Sequence, residues 1–326
     1  MPYTLALEEL TAAHGSRFGG KSASLGELLC AGIPVPPGFA LCTDAYLAAI
    51  AAAGLDEPTA ETIRAVEIPP AVRDEIAKRY AALADSSAEP DPPVAVRSSA
   101  VGEDSAEATF AGQQETYLWV RGVDAVCDAV RDCWASLYST TAISYRNRLC
   151  DAGAPAMGVT VQRMVDARVS GVLFTCNPTS GDPSMVAVNA SWGLGLAVVG
   201  GEVTPDDLLV SKVTGEIVRE HINDKHIEYV PDPDGDGALA VEVGDDRRTA
   251  RCLDHTQLPT LVDVAKRIQK HFGSHQDVEW AFARQDGELY VLQSRPVTTL
   301  PGKPAKPQPA SAISLVMNTF GVKGED

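Results

Sequence analysis

Asp277-Val-Glu-Trp-Ala-Phe-Ala-Arg-Gln-Asp-Gly-Glu-Leu-Tyr-Val-Leu-Gln-Ser-Arg-Pro296 alternates apolar and polar residues on both sides of Gln285-Asp286-Gly287. Alternation around a short Gly-containing turn predicts two antiparallel strands, with Gly287 in the left-handed position. If Arg284 pairs with Glu288, counting sets the register. Phe282 then faces Tyr290 and Trp280 faces Leu292 on an apolar face. On the other face Glu279 meets Gln293, and Asp277 meets Arg295. Directly opposed residues have Cβ atoms roughly 4.5–5.5 Å apart, so a carboxylate and an amide oxygen there can share a small hard cation. A guanidinium one step further can hold a phosphate. A surface hairpin with a solvated outer face gives the same pattern, and both readings stand at this point. A single bulged residue would break the register.

Other segments supply matching chemistry. Val94-Ala-Val-Arg97-Ser-Ser99 predicts a buried strand that delivers an arginine and two hydroxyls at its end. It runs into Ala100–Gly112, small, polar and Gly-containing, suited to folding over an anion with its backbone N–H groups. Gly19-Gly20-Lys21-Ser22 precedes a helical stretch, Ala23–Ala31, closed by Gly32 and Pro34. A lysine at a helix start is a candidate phosphate ligand.

The segments Gly19–Leu28, Gly32–Phe39, Val96–Ala100, Glu103-Asp-Ser105, Phe110–Gln114, Val161–Val165, Ser170–Thr175, Trp192-Gly-Leu-Gly195, Thr204-Pro-Asp206, Val278–Ala281 and Gln293-Ser-Arg-Pro296 occur in one order along the chain. Together they closely resemble the N-terminal ATP-binding domain of the phosphoenolpyruvate synthase and pyruvate phosphate dikinase family, which also occurs in rifampin phosphotransferases and phenylphosphate synthase. The resemblance implies an α+β, ATP-grasp-like fold that binds the nucleotide between two lobes, with ATP and Mg²⁺ as cofactors. It implies that Lys21, Arg97 and Arg295 hold the phosphates and carry catalysis. Glu279 and Gln293 match the metal ligands. Gln162, Arg163, Met164 and Val165 match the segment along the adenine. One departure is plain: Leu196 stands where the family usually has Glu after Trp-Gly-Leu-Gly.

The resemblance also implies an activity. Family enzymes pass the β,γ-pyrophosphoryl group of ATP to a histidine on a separate domain or protein and release AMP. The Thr-Gly-Gly-x-x-Ser-His-type context of that histidine does not occur among the six histidines (14, 221, 226, 255, 271 and 275). The expectation is an ATP-dependent phosphotransferase subunit that needs a histidine-bearing partner. The alternatives are a fragment of a three-domain enzyme, a non-catalytic nucleotide-responsive module and a self-contained small-molecule kinase.

Composition narrows the classes. A net charge of −17 over 326 residues argues against nucleic acid or an anionic membrane surface as the main partner. The seven cysteines lack a C-x-x-C pair and lie scattered in apolar stretches, as expected of reduced cytoplasmic thiols. Met1-Pro-Tyr-Thr lacks the basic start of a signal peptide. The chain divides into an N-terminal lobe (1–155), a C-terminal lobe (156–298) and a Pro-rich linker with a docking tail (299–326). Helices are expected in 44–90 and from Val123 to Cys150, strands from Met157, and an amphipathic helix over Gln257–Phe272. Gly15–Ser22 fits the Walker A pattern, but a true P-loop follows a buried strand, and Glu8–His14 makes a poor one. Asp232–Gly237 begins like an EF-hand loop, yet position twelve is Val243.

Overall fold

A computed structural model of the chain describes residues 2–298, apart from 88, 101–114, 141, 145–154 and 233–236. Two antiparallel sheets carry the architecture. The first has strand order β1-β2-β5-β3-β4, built from β1 (Thr4–Ala6), β2 (Gly38–Leu41), β3 (Val94–Ala100), β4 (Thr116–Val120) and β5 (Met157–Arg163). The second runs β13-β12-β6-β7-β8-β9, from β6 (Ala167–Phe174), β7 (Met185–Trp192), β8 (Asp206–Ser211), β9 (Ile217–His221), β12 (Gln276–Ala283) and β13 (Leu289–Pro296). A separate hairpin pairs β10 (Ile227–Pro231) with β11 (Ala238–Glu242).

The Ala-rich stretch breaks where glycine and proline demand it. Its helices are Thr43–Ala53, Ala60–Arg64 and Pro70–Ser87, and Gly54 closes the first in the left-handed conformation at φ 64°. With Val123–Ser136 they cover one face of the first sheet, around Tyr46, Ile76, Val130 and Trp134. The helix Gln257–Phe272 packs Leu261, Ala265 and Ile268 against Val278, Trp280 and Phe282 of β12. That core also takes in Leu7, Leu10, Phe18, Leu25 and Leu28, so the N-terminal segment is buried against the second sheet.

The structure corrects several expectations. Strand β5 belongs to the first sheet, and sheet membership changes between Arg163 and Ala167. The central hairpin keeps Asp277 opposite Arg295 and Glu279 opposite Gln293. Beyond them the register slips by one, so Trp280 faces Val291 and Phe282 faces Leu289. Leu292 is the bulged residue, left without a partner across the hairpin. The slip puts Leu289 and Val291 in the core beside Trp280 and leaves Leu292 on the cleft. Gly287 takes φ 74°, as the turn requires. Short helical turns, not a strand, precede Lys21. Asp232 and Gly237 sit in the β10–β11 hairpin with no flanking helices. The expected phosphate loop lies largely in 101–114, and the tail in 299–326, both outside the described residues.

Candidate functional site

Strand β3 and the hairpin β12–β13 meet across the gap between the two sheets. Residue 97 alternates away from the helix-covered core of Val94 and Val96, so its side chain leaves the first sheet toward the second. There Arg97 Nη2 donates to Glu279 Oε2 at 3.0 Å and to Gln293 Oε1 at 2.7 Å, while Nη1 donates to the Leu292 carbonyl at 3.0 Å. The bulge makes the last bond available, because the unpaired Leu292 offers its carbonyl to a side chain. Arg97 Nε is buried with no acceptor among the described residues. Two residues along the hairpin, Arg295 Nε and Nη2 both reach Asp277 Oδ2 at 2.9 Å.

Arg97, Glu279, Gln293 and Arg295 line one end of a cleft of about 390 Å³. Of the expected site residues, Arg97, Gln162, Arg163, Met164, Val165, Glu279, Gln293 and Arg295 all line it. The opposite wall is apolar. Leu118 and Trp119 of β4 pack there with Met164, Val165, Leu194, Leu196, Ala281 and Leu292. Leu194 and Gly195 come from the Trp-Gly-Leu-Gly stretch. Its turn is fixed by Gly193 at φ 66°, whose carbonyl accepts from Ser170 Oγ at 2.6 Å. Leu196 opens a short helix, Leu196–Val199, and continues the apolar wall. Sequence reasoning did not place Glu115, Thr116, Ala167 or Val199 at the cleft. Glu115 and Thr116 carried a signal only in their place at the start of the strand beside Arg97.

Lys21 is not among the lining residues. It is the second residue of the helix Gly20–Cys30, fully buried, and its Nζ donates to the Ser98 carbonyl at 2.7 Å. The hydroxyls of Ser98 and Ser99 are buried as well. Ser99 Oγ accepts from Ser22 N at 3.2 Å, and Ser22 Oγ lies 2.7 Å from Thr160 Oγ1. Gly19 makes this junction possible at φ 83°, since a Cβ there would lie 2.1 Å from the Ser99 carbonyl oxygen. This end of β3 therefore ties the helix to the sheet.

A model of the pyruvate phosphate dikinase AMP/ATP-binding domain matches residues 15–313. The chain belongs to that family. A probable phosphoenolpyruvate synthase of Methanothermobacter thermautotrophicus is 40% identical over 322 residues, 91% of this chain and 46% of that protein. The phosphoenolpyruvate synthase of Pyrococcus furiosus is 36% identical, across 90% of this chain and 43% of its own length. The prodigiosin synthesizing transferase of Serratia marcescens is 38% identical, across 87% and 32%. The chain thus spans less than half the length of these relatives. Among solved structures, a Campylobacter jejuni biotin carboxylase–ATP complex is 14% identical, with a TM-score of 0.34, covering 96% of this chain and 48% of that one. The cleft has an apolar wall at one end and guanidinium groups at the other.

The donor set also fits Mg²⁺. Glu279 and Gln293 converge on one point, because a single Arg97 nitrogen reaches both oxygens. A carboxylate and an amide oxygen suit a hard cation, which takes its remaining ligands from water and phosphate. Among the described residues no cluster of three or more His, Cys, Asp or Glu forms another candidate. No described helix is long and apolar enough to cross a membrane.

Proposed function

We propose that this chain binds ATP with Mg²⁺ in the cleft and transfers the β,γ-pyrophosphoryl group to a histidine on a separate domain or protein, releasing AMP. The observation that carries the reading is the convergence of Arg97, Glu279 and Gln293 beside Arg295 at one end of a cleft whose other end has an apolar wall, in a chain of this family. Arg97 and Arg295 bind the phosphates, where planar forks match phosphate oxygens better than a point charge does. Glu279 and Gln293 hold the metal, which when bound neutralises charge on the transferring phosphoryl oxygens. Met164, Val165, Leu194 and Leu196 cover the base and exclude water. Lys21 acts from beneath, by holding the end of β3 that carries Arg97.

The nucleophile comes from elsewhere. In-line attack needs an atom roughly 3–3.5 Å from phosphorus, and no histidine lines the cleft among the described residues. His14 is bonded to Thr11, His271 to Glu27, and His275 to the Thr175 carbonyl. The relatives named phosphoenolpyruvate synthase extend well beyond the matched region, which leaves room in them for an acceptor domain. The final acceptor is a matter for that partner. A cytoplasmic location goes with this reading, since the described cysteines are free thiols and all but Cys30 are buried.

The test is exchange of labelled AMP into ATP by the purified chain with Mg²⁺ and a histidine-bearing partner. Exchange is expected with the partner and absent without it. Glu279→Ala should remove exchange while the protein stays folded. ADP release with phosphorylation of a small molecule by this chain alone would overturn the proposal and favour a self-contained kinase.

A further inference from the structure

The polar end of the cleft is charge-balanced by protein groups alone. Arg97 is bonded to Glu279, and Arg295 to Asp277. Asp277 stands opposite Arg295 across the hairpin and accepts from it through Oδ2, two residues along from the Glu279–Gln293 pair. The charged residues that line the cleft, among those described, are Arg97, Glu115, Arg163, Glu279 and Arg295, three cations against two anions. The two oxygens suited to a hard cation are already bridged by a cationic nitrogen, at 3.0 and 2.7 Å. Arg97 is anchored in that position by a third bond, to the bulged carbonyl of Leu292.

We infer that Arg97 and the divalent cation are mutually exclusive occupants of the Glu279–Gln293 oxygens, so that metal loads with the nucleotide and not ahead of it. The inference rests on the reading of these two residues as metal ligands. A metal ion arriving by itself meets one carboxylate and one neutral oxygen, and must evict a guanidinium that is hydrogen-bonded to both. Mg²⁺ keeps most of its water and needs six oxygens in near-octahedral geometry, and this pair supplies too few to drive the eviction. A polyphosphate reverses the balance. Its oxygens give Arg97 new acceptors, including one for the buried Nε that has none among the described residues. They also complete the metal's coordination. Each arrival therefore favours the other, and by linkage the coupling is reciprocal. Arg97 thus acts as a resident stand-in for the metal and moves to the phosphates when both load.

The experiment measures Mn²⁺ binding to the full chain by electron paramagnetic resonance, alone and with a non-hydrolysable ATP analogue. Wild type is expected to bind Mn²⁺ at least about tenfold more tightly with the analogue than without it. Arg97→Met keeps an apolar stem and removes the guanidinium. It should bind Mn²⁺ alone about tenfold more tightly than wild type, because Glu279 loses its competitor. Glu279→Gln should weaken Mn²⁺ binding under both conditions. Equal Mn²⁺ affinity in wild type with and without the analogue would overturn the inference. So would unchanged or weaker Mn²⁺-alone binding in an Arg97→Met protein shown to be folded by its melting curve. If Arg97→Met does not fold, the wild-type comparison still decides. Should the analogue not bind wild type at all, the proposed function fails, and the Mn²⁺-alone comparison between wild type and Arg97→Met still decides the competition.

Discussion

Asp206 and Lys225 are both fully buried, with Lys225 Nζ 2.5 Å from Asp206 Oδ1. Asp206 also receives the amides of Asn223 at 3.1 Å and Cys252 at 2.9 Å, and Lys225 Nζ donates to the Asn223 carbonyl at 2.6 Å. The aspartate of Thr204-Pro-Asp206 is therefore a fastening between β8 and the segment after β9, away from the cleft lining. Removing one partner of such a pair strands a buried charge, so Asp206→Ala should cost about 3–5 kcal/mol. Urea denaturation reads this, and nucleotide affinity of the folded fraction should not change. Arg295→Lys should do the opposite, weakening nucleotide binding about tenfold with little loss of stability, because an ammonium cannot replace a fork. Wild-type affinity in that variant would make Arg295 only a partner for Asp277. Lys21 shows what the sequence leaves open. A lysine beside glycines at a helix start looks the same in sequence whether its ammonium faces a ligand or lies under a strand. Here Gly19 lets the helix approach Ser99 closely, and the lysine ends against the Ser98 carbonyl. The residues of the cleft that had a chemical signature, Arg97, Glu279, Gln293 and Arg295, were legible. Met164 and Val165 came through the family resemblance, whereas Leu118, Ala281 and Leu292 needed the fold.

At the scale of elements, periodicity predicted the helix Gln257–Phe272 with its observed ends, because its apolar stripe is strong and Gly273 closes it at φ 65°. Strands β1, β2, β10 and β11 were missed, being short and, for the last two, only partly covered. The hairpin register was half legible. Counting from an assumed Arg284–Glu288 pair gave Glu279–Gln293 and Asp277–Arg295, but in the structure Arg284 pairs with Asp166, and nothing in the alternation announces the bulge at Leu292. The start of the helix Gln257–Phe272 is held by a carboxylate two residues before its N-cap Thr256. Asp254 Oδ1 accepts from Thr256 N at 2.8 Å, Thr256 Oγ1 at 2.7 Å and Gln257 N at 2.9 Å. Burial pushes this carboxyl up, but the bonds from the Thr256 hydroxyl and the two amides outweigh it and hold its pKa below the ordinary value. A depressed carboxylate contributes stability that is present above its unfolded pKa, near 3.9, and lost as pH falls through its folded pKa. Asp254→Ala should cost about 1 kcal/mol at neutral pH. The difference between wild type and Asp254→Asn should shrink as pH drops below about 4. Thermal melts across that range measure it, and a gap that persists in acid would remove this carboxylate from the account.

At the scale of the whole molecule, the two sheets do not define two independent units. The N-terminal segment that carries Lys21 buries Leu7, Leu10, Phe18, Leu25 and Leu28 in the same core as Val278, Trp280 and Ile268 of the second lobe. Polar contacts repeat the join: Ser24 Oγ donates to the Ser294 carbonyl at 2.7 Å, Glu27 Oε2 lies 3.0 Å from His271 Nε2, and Arg267 donates to the Gly32 carbonyl at 2.7 Å. The bulged stretch takes part too, since Val291 N donates to the Pro34 carbonyl at 2.8 Å. Each fully buried leucine or phenylalanine side chain is worth about 1.5–3 kcal/mol, so parting the lobes exposes more apolar surface than a marginally stable protein tolerates. Cutting the chain between Arg163 and Ala167 should therefore yield pieces that do not fold separately, and the intact chain should melt in one calorimetric transition whose measured and van't Hoff enthalpies agree. Two resolved transitions would show that the cleft lies between independent domains. A single transition means that the helix bearing Lys21 is a fixed part of the second lobe. The stretch between the two sheets, where the chain passes from the first to the second, puts Arg163, Met164, Val165 and Ala167 on the cleft, so the cut would disrupt the cleft as well as the shared core.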